Sequence, residues 1–102
     1  MKTKNEIYTP QQIQTILEPI FLHYHVKKAI LFGSYAKGMA NEHSDIDILV
    51  DSGLKGLAFF GLLEDVVDSL GKDVDLLDVT QIIPDSEIET EIMKSGVAIY
   101  GS

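Results

Sequence analysis

The 102-residue chain contains no cysteine, which excludes disulfide bonds, thiolate metal sites and cysteine nucleophiles. It also contains no apolar run near the roughly 20 residues that span a bilayer. Its polar start, residues 1–6, precedes no signal-peptide core. We therefore expect a cytoplasmic protein, outside the membrane, whose chemistry uses oxygen or imidazole groups.

Basic residues are scarce: the chain has 8 lysines and no arginine, against 16 acidic residues, for a net charge of −8. A surface of that sign repels a polyphosphate backbone, so long nucleic acid is not expected as a partner. The charge also favours solubility whatever the function, so the positions of the acids are more informative than their number. The length and an apolar fraction of 45% predict one globular domain over residues 1–102.

Three helices are predicted. Thr9, Pro10 and Gln12 form a capping-box pattern that begins a helix at Pro10, which Pro19 should kink or interrupt. A second apolar stripe at helical spacing ends at Gly71: Phe59, Leu63, Val66, Val67 and Leu70. The last helix should begin at Pro84-Asp85 and end at Gly96, with three apolar residues facing inward: Ile88, Ile92 and Met93.

Strands are predicted at 29–32, 45–50, 73–77 and 97–100. A helical crossover separates the second of these from the third. We therefore expect an α/β fold with a small mixed sheet, in which the strands at 29–32, 45–50 and 73–77 lie side by side and the helices pack on one face.

Acidic side chains alternate with aliphatic ones in two of these strands. Asp45 and Asp47 share the face opposite the aliphatic residues of the second strand, and Asp73 and Asp75 repeat the pattern in the third. Asp78 has the opposite parity and should face away, as a solvated charge at a strand end. Such a pair is common on a solvated strand face, but neighbouring carboxylates also suit Mg²⁺, which binds a few carboxylates together with substrate phosphates.

Between the first two strands lies the segment Gly33-Ser34-Tyr35-Ala36-Lys37-Gly38. Gly33 permits close approach of the backbone to a phosphate, Ser34 adds a hydroxyl and Lys37 adds positive charge. The segment matches neither the P-loop nor the Rossmann fingerprint, and as an isolated feature it could be an ordinary tight turn.

Taken together, Gly33-Ser34, the ten residues 35–44 and Asp45-Ile46-Asp47 resemble the signature of the DNA polymerase beta nucleotidyltransferase superfamily. Residues 36–38 and 44–50 resemble its minimal nucleotidyltransferase branch, and the resemblance extends to residues 96–100. The Lys37 position is often arginine in that branch, so the charge is kept here without the planar guanidinium fork.

The resemblance implies a nucleotidyltransferase fold and a third carboxylate on a neighbouring strand. Asp75 matches that position, with Asp73 as its rival after a two-residue shift of register. The implied enzyme transfers a nucleoside monophosphate, AMP in the first instance, from an NTP such as ATP to an acceptor hydroxyl. Asp45, Asp47 and Asp75 would be its catalytic residues and the ligands of two Mg²⁺ ions, while Gly33, Ser34 and Lys37 would bind the nucleotide.

Minimal nucleotidyltransferases of this kind resemble the antitoxin of two-gene systems whose toxin is a HEPN-family RNase, and they can transfer AMP to a tyrosine of that toxin. The resemblance therefore implies a HEPN-family toxin as partner. Two other hypotheses stay open: a binding protein that neutralises its partner without turnover, and a small-molecule nucleotidyltransferase whose pocket is completed in a homo-oligomer.

Overall fold

The computed structural model describes residues 7–101, which form one four-stranded sheet and three α-helices. In chain order these elements are α1 Pro10–His23, β1 Lys28–Phe32, β2 Ile46–Asp51, α2 Leu57–Leu70, β3 Val74–Asp78, α3 Glu87–Ser95 and β4 Val97–Tyr100. The strand order is β3-β2-β1-β4; β2 and β3 are parallel, and β1 runs antiparallel to both β2 and β4. The predicted mixed sheet is confirmed, with β1, β2 and β3 side by side.

The main core lies between one face of the sheet and helices α1 and α2. The aliphatic residues that alternate along β2 are buried here, as predicted, and they meet apolar side chains from both helices. The fully buried members include Ile13, Leu17 and Phe21 of α1, Leu62, Val66 and Leu70 of α2, and Ile46, Ile48 and Val50 of β2.

The prediction that all the helices pack on one face is wrong for α3. Ile92 of α3 packs with Phe32 and Leu49 in a second cluster, against the opposite face of the sheet from α1 and α2. Only this one residue of α3 is buried, so the prediction that Ile88 and Met93 face inward is also wrong; their side chains are exposed. The physical reason is that a second apolar patch on the sheet, formed by alternate residues of β1 and β2, needs a cover of its own.

The predicted capping box at the start of α1 is present. The Gln12 amide N–H donates to the Thr9 hydroxyl, and the Thr9 amide N–H donates to the Gln12 side chain. Pro19 lies inside α1 and does not end it. The last helix begins later than predicted, because Ser86 caps it and Pro84-Asp85 form the preceding turn.

The prediction that Asp78 is a solvated charge at a strand end is wrong, because Asp78 is buried. One carboxylate oxygen accepts hydrogen bonds from the Ser52 amide and hydroxyl at 3.1 and 2.6 Å, and the other accepts from the Thr80 amide and hydroxyl at 3.1 and 2.8 Å. Burial acts to raise the pKa of Asp78, but these hydrogen bonds outweigh it and hold the pKa below its ordinary value. Asp78 therefore joins the end of β3 to the segment that leaves β2.

No helix within residues 7–101 has the length and apolar character needed to cross a membrane. The polar start at residues 1–6 lies outside the described residues.

We expect Asp78→Asn to lower the free energy of unfolding by about 1 to 3 kcal/mol at pH 7, because hydrogen bonds to a buried charged group are lost. Since folding lowers the pKa of Asp78, its contribution is complete above about pH 4 and disappears as the pH falls further. Urea denaturation at several pH values measures both effects. Asp73→Asn is the control, because Asp73 is exposed, and it should change stability by no more than about 0.5 kcal/mol. Equal stability of Asp78→Asn and wild type would contradict the expectation.

Candidate active site

The pairing of β2 with β3 places two predicted site residues next to each other. The strands are parallel, and Asp47 is the register partner of Asp75. Because both side chains project from the face opposite the main core, the two carboxyl groups come within hydrogen-bonding contact. Asp73 lies just before β3 and is not the register partner of Asp47, so the geometry favours Asp75 over this rival.

The electrostatics of Asp47 reflect this crowding. The pKa of Asp47 is raised to about 6, first by burial and then by the negative charge of Asp75 and a hydrogen bond with it. The charges of Asp45 and Glu91 add smaller contributions in the same direction. Asp45 lies immediately before β2 and is exposed to solvent. Asp47 is therefore the centre of a group of like charges, and within residues 7–101 neither Asp47 nor Asp75 forms an ion pair with a basic side chain.

Gly33 brings the backbone against this carboxylate. β1 ends at Phe32, which pairs with Asp47, and Gly33 is the next residue along the chain. Gly33 has a φ of +73°, and a Cβ at this position would overlap with the carboxylate oxygen of Asp47. Only glycine allows both this backbone conformation and the close approach of the Asp47 carboxylate. Residues 33–38, the Gly-Ser turn, therefore lie against β2, the strand that carries Asp47, and the two form one candidate site.

The rest of the turn is held from inside the protein. The ring of Tyr35 is buried in the main core, and its hydroxyl has no hydrogen-bond partner in the part of the chain that the structure describes. Burial raises the pKa of this hydroxyl. The Lys37 amide donates to the Gly33 carbonyl at 3.2 Å and the Met39 amide donates to the Ser34 carbonyl at 2.9 Å. Ser34 is thereby fixed beside Gly33 and remains partly exposed.

Lys37, the third predicted nucleotide-binding residue, lies at the edge of the site in an ion pair that the sequence analysis did not foresee. Its ammonium nitrogen is 3.1 Å from a carboxylate oxygen of Glu91 on α3. Both residues line an open cleft of about 490 Å³ between the turn and α3. The structure thus adds Glu91 to the residues around Asp47.

Asp47 and Asp75 line a neighbouring cavity of about 420 Å³. Much of its wall is apolar and includes Phe32, Leu77 and Ile88. This wall was not predicted from the sequence, because Ile88 was expected in the core and no helix was expected on this face of the sheet. The apolar wall leaves the partly buried Asp47 carboxylate poorly solvated, in agreement with its raised pKa.

The donor set can be tested against a divalent cation. Among the described residues, no group of three His, Cys, Asp or Glu side chains is gathered closely enough to hold a metal ion. Asp47 and Asp75 are adjacent, however, and Mg²⁺ commonly binds through one or two carboxylates together with substrate phosphates and water. The pair therefore fits one hard cation that shares its remaining coordination with a ligand.

Comparison with known proteins identifies the family. Residues 11–102 match the family model described as Polymerase beta, Nucleotidyltransferase. The chain belongs to this family and is a nucleotidyltransferase, as the sequence signature predicted. A relative from Methanocaldococcus jannaschii, named "Putative protein adenylyltransferase MJ0435", is 41% identical over 76 residues, which are 72% of this chain and 81% of the relative. A second relative with the same kind of name, MJ0128, is 46% identical over 56 residues, 53% of this chain and 57% of the relative.

Solved structures agree on the fold. A crystal structure of a toxin–antitoxin with AMP-PNP superimposes with a TM-score of 0.72 at 26% identity, covering 87% of this chain and 73% of the matched chain. A tri-AMPylated Shewanella oneidensis HEPN toxin in complex with its MNT antitoxin gives a TM-score of 0.67 at 23% identity, covering 92% and 74%. At that identity the second likeness shows the fold alone. The predicted nucleotidyltransferase fold is confirmed.

Lowering the pH from 7 to 5 should stabilise the free protein through Asp47. Its pKa is raised from 3.8 to about 6, so between about pH 4 and 6 the folded state holds a proton that the unfolded state has released. Asp47→Asn should remove this rise and leave the protein at least as stable as wild type at pH 7, because one repelling charge is gone. Denaturation at pH 5, 6 and 7 measures the effect. Asp73→Asn should keep the rise, and persistence of the rise in Asp47→Asn would contradict the assignment.

Two glycine substitutions separate backbone strain from crowding against Asp47. Gly33 and Gly38 have nearly the same φ, +73° and +72°, but a Cβ at Gly38 would have no neighbour within 4 Å. Gly38→Ala should therefore cost only the left-handed backbone penalty of about 1 to 2 kcal/mol. Gly33→Ala should cost about 1 to 3 kcal/mol more, because the Asp47 carboxylate must move. Urea denaturation compares the two, and equal losses would mean that Asp47 does not lie against Gly33.

Proposed function

We propose that this chain is a Mg²⁺-dependent nucleotidyltransferase that transfers AMP from ATP to a hydroxyl group of another protein. The observation that carries the proposal is the register that sets Asp47 beside Asp75 and against the Gly33 turn. This arrangement brings a candidate phosphate-binding turn and a candidate metal-binding pair into one site. The names of the relatives as protein adenylyltransferases and the AMP-PNP in a related complex support AMP as the transferred group.

Each residue of the site has a proposed role. Asp45, Asp47 and Asp75 would hold the Mg²⁺, with two ions expected, while Gly33, Ser34 and Lys37 would bind the triphosphate. Bound Mg²⁺ supplies positive charge that offsets the repulsion between these carboxylates and the triphosphate and favours ionisation of the acceptor hydroxyl. Asp75 accepts the hydroxyl proton as the acceptor oxygen bonds to the α-phosphorus. The bond from that phosphorus to the β-phosphate oxygen breaks, and pyrophosphate leaves on the side of Ser34 and Lys37.

The proposed acceptor is a HEPN-family toxin protein, which makes this chain the antitoxin of a pair. Support comes from the related structures, in which similar chains are found in toxin–antitoxin complexes and one toxin carries three AMP groups. The apolar wall beside the acidic pair, formed in part by Phe32 and Leu77, also suits the side chain of an aromatic acceptor residue such as tyrosine.

A labelled-nucleotide assay tests the proposal. The purified protein is incubated with each labelled NTP, in Mg²⁺ or in EDTA, with and without the product of the adjacent gene, which the proposal expects to be the HEPN-family toxin. We expect labelled toxin with ATP and Mg²⁺ only, and a loss of about 100-fold or more in Asp47→Asn and Asp75→Asn. Asp73→Asn, two residues before Asp75 and just ahead of β3, should transfer at the wild-type rate.

A measurement of nucleotide affinity complements the assay. Calorimetry should show that ATP binds weakly in EDTA and much more tightly with Mg²⁺, because the three acids otherwise repel the triphosphate. Equal affinity in EDTA and in Mg²⁺ would contradict the proposed metal.

The transfer assay has three outcomes that would change the proposal. Full transfer by Asp47→Asn would contradict the site. Neutralisation of the toxin without any labelling would identify a binding antitoxin, and labelling of a small molecule alone would identify a different acceptor.

A further inference from the structure

Glu91 is the one carboxylate of α3 that makes an ion pair with the Gly-Ser turn among the described residues. Its carboxylate lies 3.1 Å from the Lys37 ammonium nitrogen, and its charge also acts on Asp47. Glu91 thus lies beside Lys37, the side chain expected to bind the triphosphate, and also near the acidic pair of Asp47 and Asp75. Lys37 follows Gly33 by four residues in the same hydrogen-bonded turn.

The ion pair is exposed enough to exchange partners. The Lys37 and Glu91 side chains are 42% and 34% exposed and face an open cleft, so solvent screens their attraction and limits its strength. A lysine ammonium on a flexible four-carbon stem can leave one oxygen for another without movement of the backbone. A triphosphate is a stronger acceptor than a single carboxylate, because it offers several charged oxygens at once.

We propose that Glu91 is a positioning residue that holds Lys37 across the cleft in the nucleotide-free protein and releases it to the triphosphate when nucleotide binds. Glu91 thereby sets the affinity for nucleotide. The inference rests on the proposed nucleotidyl transfer and adds a residue to it. After transfer, return of Lys37 to Glu91 weakens the hold on pyrophosphate and favours its departure.

The expected effect has a sign that a structural role would not produce. Glu91→Gln removes the competing acceptor, so Mg²⁺-ATP should bind about two- to fivefold more tightly, the range that the free energy of an exposed ion pair allows. KM for ATP should fall, while kcat should stay the same or decrease, because pyrophosphate is held longer. A residue needed only for folding would weaken binding when substituted.

A double-mutant cycle tests whether Glu91 acts through Lys37. Mg²⁺-ATP affinity is measured by calorimetry for wild type, Glu91→Gln, Lys37→Gln and the double variant, and the same proteins are melted without nucleotide. Glu87→Gln is the matched control, because Glu87 lines the same cleft and the substitution removes the same charge. We expect Glu91→Gln to gain more affinity than Glu87→Gln in the wild-type background, and to lose that advantage in the Lys37→Gln background.

The outcomes separate this inference from the proposed function. Equal gains for Glu91→Gln and Glu87→Gln would overturn the inference, since a general charge effect would then suffice. An unchanged gain in the Lys37→Gln background would overturn it too. In the melts, coupling between positions 37 and 91 supports the ion pair, and its absence contradicts it. Failure of wild type to bind any NTP with Mg²⁺ would instead overturn the proposed function itself.

Discussion

The parallel pairing of β2 with β3 is the constraint on which the site depends. It forces Asp47 and Asp75 together, although two carboxylates in contact repel each other. The same pairing buries Ile48 and Leu76 on the other face of the sheet. Each buried aliphatic side chain contributes about 1.5 to 3 kcal/mol, while two like charges 4 Å apart near a protein surface repel by about 4 kcal/mol. Several such side chains together therefore hold the acids in place.

This balance leaves the site ready for a cation. The fold supplies the proximity of the carboxylates, and the partial burial of Asp47 against an apolar wall limits how far water screens the resulting repulsion. Partial protonation of Asp47 reduces the repulsion between the two carboxylates, and a bound divalent ion would also reduce it. Gly33 contributes by leaving space for the carboxylate where any side chain would fill it. Stability and function thus make opposite demands on Asp47.

Much of this arrangement could be predicted from the sequence, because periodicity reports which face of a strand a residue occupies. The alternation around Asp47 and Asp75 predicted their shared face, and the order of the periodic segments predicted that their strands lie side by side. The position of α3 could not be obtained in this way. Its apolar residues gave a helix but no information about which face of the sheet it covers. The continuous apolar run at 29–32 was the available indication, since a strand apolar on both sides needs cover on both.

The wrong prediction for the position of α3 also explains why Glu91 was not predicted as a residue of the site. With all helices expected on one face, a carboxylate in the last helix had no reason to lie near the Gly-Ser turn. Asp78 shows a related limit: its parity predicted that it faces away from Asp75, but its burial depends on Ser52 and Thr80, which come from other segments. Alternation predicts direction, whereas exposure depends on what the rest of the chain places there.

The hydrogen bonds of Asp78 have a consequence for the identity of the third acid. A slide of β3 by two residues along β2 would bring Asp73 opposite Asp47 and keep every aliphatic side chain on its own face, so alternation alone does not forbid it. Such a slide would move Asp78 by about 6.6 Å along β2 and break its present hydrogen bonds to the Ser52 amide and hydroxyl. The hydrogen bonds between Asp78 and Ser52 therefore favour the observed register, and with it the placement of Asp75, rather than the chemically identical Asp73, opposite Asp47.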